Sequence, residues 1–333
     1  MNPEYEGREW ALYNSDCIEV LAGLPEGLID LAIFSPPFSD LFVYSDSERD
    51  MGNCGSHGEF MEHYRFFAEN LYRAMKPGRI ACVHCTDLPT RKGRDGFIGL
   101  HDFSGDLIQA HQAAGFVYHA RCTIWKDPVV EMQRTKALGL LYKQLKKDSA
   151  MSRVGMPDYM LFFRKDEPNP EPIRHFDPTR RLPADEIEYA RQQMRKYLGR
   201  EPTKIEVADH WEEIAEDMTL PVEQWQELAS PVWMTVRQGN VLNGRMARGE
   251  EDERHICPLQ LDVIERCLTL YSNPGDLVLD PFNGIGSTGY QALNMRRRYL
   301  GIELKPEYAA QASKFLAEAE ASQETLFDAV AAE

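Results

Sequence analysis

Short apolar runs alternate with longer amphipathic segments over about the first half of the chain. The runs LIDLAIF, GRIACVHC and DYMLFFRK have the length and composition of buried strands. Between the first two, EFMEHYRFFAENLYRAMKPG has the apolar spacing of a helix that ends at Pro77 and Gly78. Alternating strands and helices are typical of a parallel sheet covered by helices, so the pattern predicts an α/β fold.

The pattern breaks between residues 166 and 254, where proline-rich joints and charged helical segments such as ADEIEYARQQMRKYLG replace the strands. No stretch there has the character of a core strand, which indicates a helical insertion. The final stretch, AEAEASQETLFDAVAAE, predicts a mobile tail. The predicted organisation is therefore one half of the core at 1–165, a helical insertion at 166–254, the other half at 255–315 and a tail at 316–333.

The composition is that of an ordinary globular protein, with 43% hydrophobic and 27% charged residues among 333. There is no apolar leader, and no stretch reaches the roughly 18 apolar residues of a membrane helix, so we expect a cytoplasmic protein without membrane contact. Seven irregularly spaced cysteines indicate reduced thiols. Cys82 and Cys85 lack the second ligand pair of a zinc site, so we predict no metal.

The formal net charge of −16 weighs against a nucleic-acid partner, because phosphate contacts supply much of the affinity for DNA. The charge is unevenly distributed, with acidic residues crowded between Asp185 and Glu227 and in the tail. A basic segment lies elsewhere and contains Arg134, Lys136, Lys143, Lys146, Lys147 and Arg153. A DNA-contacting surface and a solvated helix face would both carry such residues, so both interpretations stay open.

A strand, a glycine-rich turn and a helix follow one another in GDLVLD, PFNGIGSTG and YQALNMRR. Gly284, Gly286 and Gly289 fit the spacing GxGxxG, in which missing side chains let the backbone approach a ligand at a helix N-terminus. Glu303 ends the next strand about 20 residues later, where a carboxylate can accept hydrogen bonds from ribose hydroxyls. Together these residues predict a cofactor that contains adenosine.

The second motif, Ser35-Pro36-Pro37-Phe38, directly follows the strand LIDLAIF. Two prolines fix the backbone and remove two N–H donors, so the turn presents hydrogen-bond acceptors. The Ser35 hydroxyl oxygen and the Pro36 carbonyl could each accept one N–H of an exocyclic amine, and Phe38 could stack on the base. A rigid turn that only ends a strand would have the same sequence, and that interpretation stays open for the motif by itself.

The two motifs together resemble the amino-group DNA methyltransferases in their permuted (beta) order, with the catalytic motif first and the cofactor loop last. The stretches NSDCIEVLAGLPEGLIDLAIFSPPF and HICPLQLDVIERCLTLYSNPGDLVLDPFNGIGSTG look like this family, and DPVVEMQRTKALGLLYKQL is similar to segments of its phage and prophage members. The resemblance implies a seven-stranded, mostly parallel Rossmann-like sheet with a helical insertion. It further implies S-adenosylmethionine as the cofactor and double-stranded DNA as the partner, in a restriction–modification context and as a possible homodimer.

The resemblance assigns the candidate residues to three sets. The catalytic set is Ser35, Pro36, Pro37 and Phe38. The residues expected around the cofactor are Asp16, Cys17, Pro258, Gln260, Asp280, Pro281, Phe282, Gly284, Gly286, Ser287, Thr288 and Glu303. The basic segment and the insertion at 166–254 are expected to contact DNA.

The expected mechanism is direct displacement of the sulfonium methyl group by the amine of a flipped base, without a covalent intermediate. No cysteine follows a proline, as the nucleophile of a cytosine C5 methyltransferase would. Ser35 is a weaker acceptor than the aspartate of many relatives, and in this family a serine there favours N4 of cytosine over N6 of adenine. An RNA or protein methyltransferase, a nicotinamide-dependent oxidoreductase and a non-catalytic DNA-binding decoy stay open.

Three further residues invite a functional interpretation that their context does not favour. His84 lies in a strand run, which predicts a core or strand-end histidine rather than a base. Trp125 and Trp233 are predicted to be packing anchors, the more common role of tryptophan.

Overall fold

The computed structural model describes residues 2–39, 50–90, 92–135, 138–173, 175, 191–192, 194–196, 198–203, 206, 220, 222–242 and 258–331. The chain divides into two compact units. The main unit comprises Met1–Glu171 and Pro231–Glu333, and the second unit comprises Pro172–Ser230.

Within the described residues, a nine-stranded sheet lies at the centre of the main unit. Its strands are β1 (Tyr5–Glu6), β2 (Trp10–Asn14), β3 (Ile29–Phe34), β4 (Met75–Cys85), β7 (Phe116–Ile124), β8 (Asp158–Lys165), β9 (Val232–Trp233), β10 (Leu277–Asp280) and β11 (Arg298–Glu303), in the spatial order β1-β2-β11-β10-β3-β4-β8-β7-β9. The short strands β5 (Leu88–Pro89) and β6 (Leu100–His101) pair separately. The five strands β2, β11, β10, β3 and β4 run parallel, whereas β8 is antiparallel to both of its neighbours.

Helices cover both faces of the sheet, as the alternating pattern predicted. The α-helices described in the main unit are α1 (Cys17–Gly23), α2 (His57–Ala74), α3 (Lys92–Asp95), α4 (Phe103–Ala113), α5 (Pro128–Thr135), α6 (Tyr142–Lys147), α8 (Leu261–Tyr271), α9 (Ser287–Asn294) and α10 (Pro306–Ala331). One apolar cluster packs α1, α2 and α4 on one face, and a second packs α8, α9 and α10 on the other. Single 3₁₀ turns lie at Met51–Asn53, Leu138–Leu140 and Ser149–Met151.

The strand count of seven expected from the sequence was too low. The edge strands β1 and β9 contain only two residues each, too few to show an alternating apolar pattern. The strand β9 also lies within 166–254, where no core strand was expected. Val232 is in register with Thr123 of β7, and Trp233 is 1% exposed, so this short strand belongs to the core.

The segment 316–333 was expected to be a mobile tail beyond a domain boundary at 315. The helix α10 instead continues through this position to Ala331. Leu316 and Ala319 are buried against the sheet-covering cluster, and Glu320 accepts a hydrogen bond from the Glu9 backbone N–H at 2.8 Å. The first residues of this segment therefore pack as part of the helix, and the side chains from position 323 onward lie outside the described residues.

A buried ion network joins three neighbouring strands near their amino ends. The Arg79 guanidinium of β4 is fully buried and lies 3.2 Å from an Asp30 carboxylate oxygen of β3. It also donates to Asp276, directly before β10, at 2.8 Å. Asp30 accepts in turn from the backbone N–H of Leu277 at 2.9 Å. The charges are thus paired, and their contacts hold β3, β4 and β10 in register.

The second unit falls within the predicted insertion and is described only in part. Its described elements include the helix α7 (Val222–Leu228) and ion pairs from Arg195 to Glu201 and from Arg200 to Glu206. Across the part of the chain that the structure describes, no helix is long and apolar enough to span a membrane.

Candidate active site

The two sequence motifs meet at the carboxyl edge of the sheet, where β3 and β10 end side by side. Leu279 of β10 is in register with Ala32 of β3. Beyond this pair, the rings of Phe34 and Phe282 lie 5.8 Å apart, and the Thr288 hydroxyl donates to the Ile33 carbonyl at 3.4 Å. The turn at 35–38 and the glycine loop at 281–289 are therefore neighbours despite their separation in sequence.

The glycine loop depends on residues without side chains at defined positions. Gly284 has φ 52° and Gly286 has φ 89°, both in the left-handed region that other residues rarely adopt. A Cβ at Gly286 would lie 3.2 Å from the Ala312 Cβ, and one at Gly289 would lie 2.4 Å from the Tyr299 ring. Gly286 directly precedes α9, so the loop places the N-terminus of this helix at the carboxyl edge of the sheet.

Two buried carboxyl groups flank the glycine loop. Glu303 accepts the Gly284 backbone N–H at 2.6 Å through Oε2 and the Lys305 N–H at 2.9 Å through Oε1. Asp280 accepts the Phe282 N–H at 3.0 Å. Burial raises the pKa of each carboxyl to about 7, because low polarity disfavours the charged form more than these hydrogen bonds favour it.

Asp16 and Cys17 lie beside Glu303 because β2 pairs with β11. The Ser15 backbone N–H donates to the Glu303 carbonyl at 3.1 Å. The Asp16 carboxylate caps α1 through one oxygen, which accepts the N–H groups of Ile18 and Glu19 at 2.8 and 3.1 Å. The Cys17 thiol is buried, and burial raises its pKa well above the usual value, so it is an inert part of the core.

Two polar atoms of the candidate set are buried without a hydrogen-bond partner among the described residues. They are the Oε1 atom of Gln260, which precedes α8, and the Ser287 hydroxyl at the start of α9. Pro258 begins the described segment before α8 and is half-buried. Buried polar atoms of this kind favour a polar ligand, because leaving them unpaired costs about 1 to 3 kcal/mol each.

Ser35 is joined to a histidine and an aspartate that come from two other strands. Its hydroxyl lies 3.1 Å from Nδ1 of His84, near the end of β4. On the other side of the ring, Nε2 lies 3.2 Å from the Asp158 carboxylate at the start of β8. Lys126 donates to the other Asp158 oxygen at 2.6 Å. Burial raises the pKa of Asp158, but the contacts with His84 and Lys126 outweigh it and lower the pKa to about 2.

The sequence placed His84 correctly near a strand end but missed its contact with Ser35, and it did not single out Asp158 or Lys126. A topological signal exists. The strands β3 and β4 are parallel neighbours, and β8 is antiparallel to β4, so two strand ends and one strand start share an edge. Polar residues at those three positions could be grouped once the strand order is known.

Phe38 is half-buried in an aromatic environment. Its ring centroid lies 6.3 Å from that of His84 and 6.1 Å from that of Phe103, in tilted and edge-to-face arrangements. Pro36 is buried and Pro37 is half-buried. The turn that carries Ser35 is thus fixed by packing on both sides, while part of the Phe38 ring stays accessible.

The two tryptophans differ from each other in their surroundings. Trp233 is 1% exposed and packs against Phe162, with ring centroids 6.3 Å apart, as a packing anchor would. Trp125 is 41% exposed, so it lacks the burial that is expected of a packing anchor. It lines an open cleft of about 290 Å³ together with Lys126 and Pro157.

The predicted basic segment lies in the connection from β7 to β8, which leaves and rejoins the sheet at the same carboxyl edge. Lys143, Lys146 and Lys147 are exposed on α6. Arg153 is half-buried and donates to the Met156 sulfur at 3.5 Å. Lys136 and the side chain of Arg134 lie outside the described residues.

Comparison with known families and curated proteins identifies the relatives of this chain. The family model described as DNA methylase (N6_N4_Mtase) matches residues 29–314. The chain is 25% identical over 236 residues to the Type II methyltransferase M.MjaI of Methanocaldococcus jannaschii. This alignment covers 71% of the chain and 60% of M.MjaI, so the chain spans less than two thirds of that relative.

Two solved structures share the fold. The Thermus thermophilus protein TTHA0409, complexed with S-adenosyl-L-methionine, matches with a TM-score of 0.57 at 21% identity, and the match covers 92% of this chain and 93% of that one. The cytosine-N4-specific PvuII DNA methyltransferase matches with a TM-score of 0.57 at 18% identity, over 95% of this chain and 88% of that one.

The buried carboxyls predict an unusual pH dependence of stability. Since the folded-state pKa values of Asp280 and Glu303 are raised to about 7, their stabilising contribution is complete below the unfolded-state values and is lost as the pH rises through about 7. We expect the free energy of unfolding of the ligand-free protein to fall between about pH 5 and pH 8, by roughly 1 to 3 kcal/mol per group.

Urea unfolding across this pH range measures the effect, with Glu303→Gln as the comparison because it keeps the shape but cannot ionise. The variant should lose stability less steeply than the wild type as the pH rises. Parallel curves for the two proteins would contradict the raised pKa of Glu303.

Proposed function

Because this chain belongs to the DNA methylase family, we propose that it transfers the methyl group of S-adenosylmethionine to the exocyclic amine of a flipped base in double-stranded DNA, with N4 of cytosine favoured. The observation that carries the proposal is the meeting of the Ser35–Phe38 turn with the glycine loop at one sheet edge. This arrangement gives an acceptor-rich turn and a cofactor loop a common reaction space.

The residues around the glycine loop fit the cofactor. Glu303 is a buried carboxyl positioned beside Gly284, where it can accept hydrogen bonds from the ribose hydroxyls. The buried Gln260 Oε1 and Ser287 hydroxyl gain hydrogen-bond partners if a polar ligand lies against them. When bound, S-adenosylmethionine supplies an electrophilic methyl group on a sulfonium sulfur.

Ser35 acts in this proposal as the acceptor that holds the amine. When the Ser35 O–H donates to Nδ1 of His84, at 3.1 Å, its single proton is occupied and the oxygen lone pairs are free to accept an N–H. Pro36 contributes a carbonyl without an N–H. Two acceptors hold the two amine hydrogens, so the nitrogen lone pair is directed towards the methyl group.

His84 and Asp158 also provide a route for the proton that the methylated nitrogen must lose. Ser35 can take this proton while its own passes to Nδ1 of His84, which leaves an imidazolium ring. The Asp158 carboxylate, 3.2 Å from Nε2, stabilises that charge. His84 therefore acts through Ser35 as a positioning residue and as a proton acceptor.

A local basic surface supports DNA as the substrate despite the net charge of −16. Lys143, Lys146 and Lys147 are exposed in the connection that leaves the sheet beside the candidate active site. Exposed apolar side chains accompany them, including Tyr142 at 68% and Leu145 at 52%. Lysines that neutralise phosphate and apolar groups that exclude water would together suit a duplex surface.

The test of the function is methyl transfer from tritiated S-adenosylmethionine to unmethylated genomic DNA, followed by digestion to nucleosides. We expect the label in N4-methylcytosine. We expect Phe38→Ala to lower kcat/KM by roughly 5- to 150-fold, since base stacking contributes about 1 to 3 kcal/mol. Phe66→Ala is the matched control, because Phe66 is 55% exposed on α2.

Label in N6-methyladenine would keep the reaction and overturn the choice of base. A protein that binds the cofactor but transfers no label to DNA would refute the DNA substrate. Transfer to RNA or protein in parallel reactions would then identify the alternative acceptor, and binding of DNA without any transfer would indicate a decoy.

The roles of His84 can be separated by two substitutions. His84→Ala removes both the acceptor for the Ser35 proton and the ring, and we expect kcat to fall by roughly 100-fold with cofactor affinity unchanged. His84→Asn retains an acceptor oxygen near the former Nδ1 position but cannot store a proton at neutral pH. Partial recovery of kcat in His84→Asn would assign a positioning role, and an Asn variant as slow as Ala would assign proton transfer. Wild-type kcat in His84→Ala would contradict both roles.

The DNA surface predicts a specific salt dependence. Each phosphate contact contributes about 0.9 to the slope of log K against log salt concentration. We therefore expect the triple variant Lys143→Ala, Lys146→Ala and Lys147→Ala to bind duplex DNA more weakly, with a slope lowered by up to about 3. The control is the triple variant Arg65→Ala, Arg298→Ala and Lys314→Ala, which removes the same number of positive charges from α2, β11 and α10. Equal slopes for the two triple variants would refute the assignment of this surface.

A further inference from the structure

A second cluster of chemically reactive side chains lies next to the catalytic turn, and the proposed mechanism does not use it. His57 begins α2, His101 ends β6 and Asp106 lies in the first turn of α4. The residues are 44 and 5 positions apart in sequence, so no short motif marks them. Their polar atoms nevertheless all lie within 4.8 Å of one another.

The three ligand atoms are close to one another. His57 Nε2 lies 2.9 Å from Asp106 Oδ2, and His101 Nε2 lies 2.6 Å from the same oxygen. The two Nε2 atoms are 3.1 Å apart. In a tetrahedral site with bonds of about 2.0 to 2.2 Å, the ligand atoms are about 3.3 to 3.6 Å apart, so an outward movement of the side chains by up to about 1 Å accommodates an ion.

The other nitrogen of His57 has the partner that a metal-binding histidine requires. Nδ1 lies 2.9 Å from the hydroxyl of Ser39, and Ser39 is fully buried. If Nδ1–H donates to this oxygen, the lone pair on Nε2 points towards Asp106 and His101. Ring nitrogens of metal ligands are commonly held by such an outer hydrogen bond, which fixes both tautomer and orientation.

The surroundings allow an ion to enter. The side chains of His57, His101 and Asp106 are 31%, 42% and 28% exposed, so water can reach the cluster. The other acidic cluster of the described residues, formed by Asp30, Glu171 and Asp276, is different because Arg79 and Lys76 already pair with its carboxylates. At the first cluster, no lysine or arginine pairs with Asp106 among the contacts described.

We propose that His57, His101 and Asp106 bind a divalent transition-metal ion, with zinc as the ion that two imidazoles and one carboxylate suit best. Ser39 directly follows Phe38 and contacts the ligand His57. The ion therefore connects the end of the catalytic turn, through His57, to α2, β6 and α4. The role is structural, since methyl transfer to an amine needs no Lewis acid. The proposal does not depend on the proposed function.

The test is metal binding by the full-length protein after treatment with a chelator, measured by titration with Zn²⁺ and by the visible spectrum with Co²⁺. We expect one ion per chain, and a Co²⁺ spectrum without thiolate charge-transfer absorption because no cysteine takes part. His101→Ala and Asp106→Asn should each weaken binding by about 10-fold or more, and Ser39→Ala by about 10-fold. His119→Ala, on an exposed histidine of β7, is the matched control.

Two outcomes would overturn the proposal. One is the failure of the wild-type protein to bind either ion at micromolar concentration. The other is binding that His101→Ala and Asp106→Asn leave unchanged, including binding that instead disappears in Cys54→Ser, since the Cys54 thiol lies 3.7 Å from His63. Asp106→Asn preserves side-chain shape, and circular dichroism identifies any variant that fails to fold.

Discussion

The buried contacts of Arg79 hold the strands on which the candidate active site depends. Asp30 of β3, Arg79 of β4 and Asp276 before β10 interact near the amino ends of three adjacent parallel strands. Because a shift of one residue would separate these charges in a low-polarity environment, the network opposes any change of register. The carboxyl ends of β3, β4 and β10 therefore keep their positions relative to one another. These ends carry the catalytic turn, His84 and the glycine loop.

The sequence predicted the elements that have a local signature. The α/β class followed from strand and helix periodicity, and the glycine spacing with Glu303 predicted a loop that the structure places beside the 35–38 turn. The position of this pair follows from parallel strand order alone, since the carboxyl ends of neighbouring strands share an edge. Two-residue strands have no such signal, so the sequence did not predict β1 and β9, nor did it predict the helical packing of Leu316.

The contacts of the site that sequence reasoning missed join residues far apart in the chain. His84 was placed correctly near a strand end, but its partners are 49 residues before it and 74 residues after it. The cluster of His57, His101 and Asp106 likewise assembles from a helix start, a strand end and a helix turn. Such groups become visible only when strand order and helix packing are known, because no spacing along the chain encodes them.

The link between Ser35 and His84 also constrains how this site can change during evolution. An aspartate at position 35 would set a second carboxylate against a ring that already faces Asp158. An aspartate would also lack the hydroxyl proton that Ser35 can donate to Nδ1 of His84, so two carboxylates would face one imidazole without that hydrogen bond. We therefore expect an aspartate at position 35 to disturb the contacts of His84 unless position 84 or position 158 changes as well.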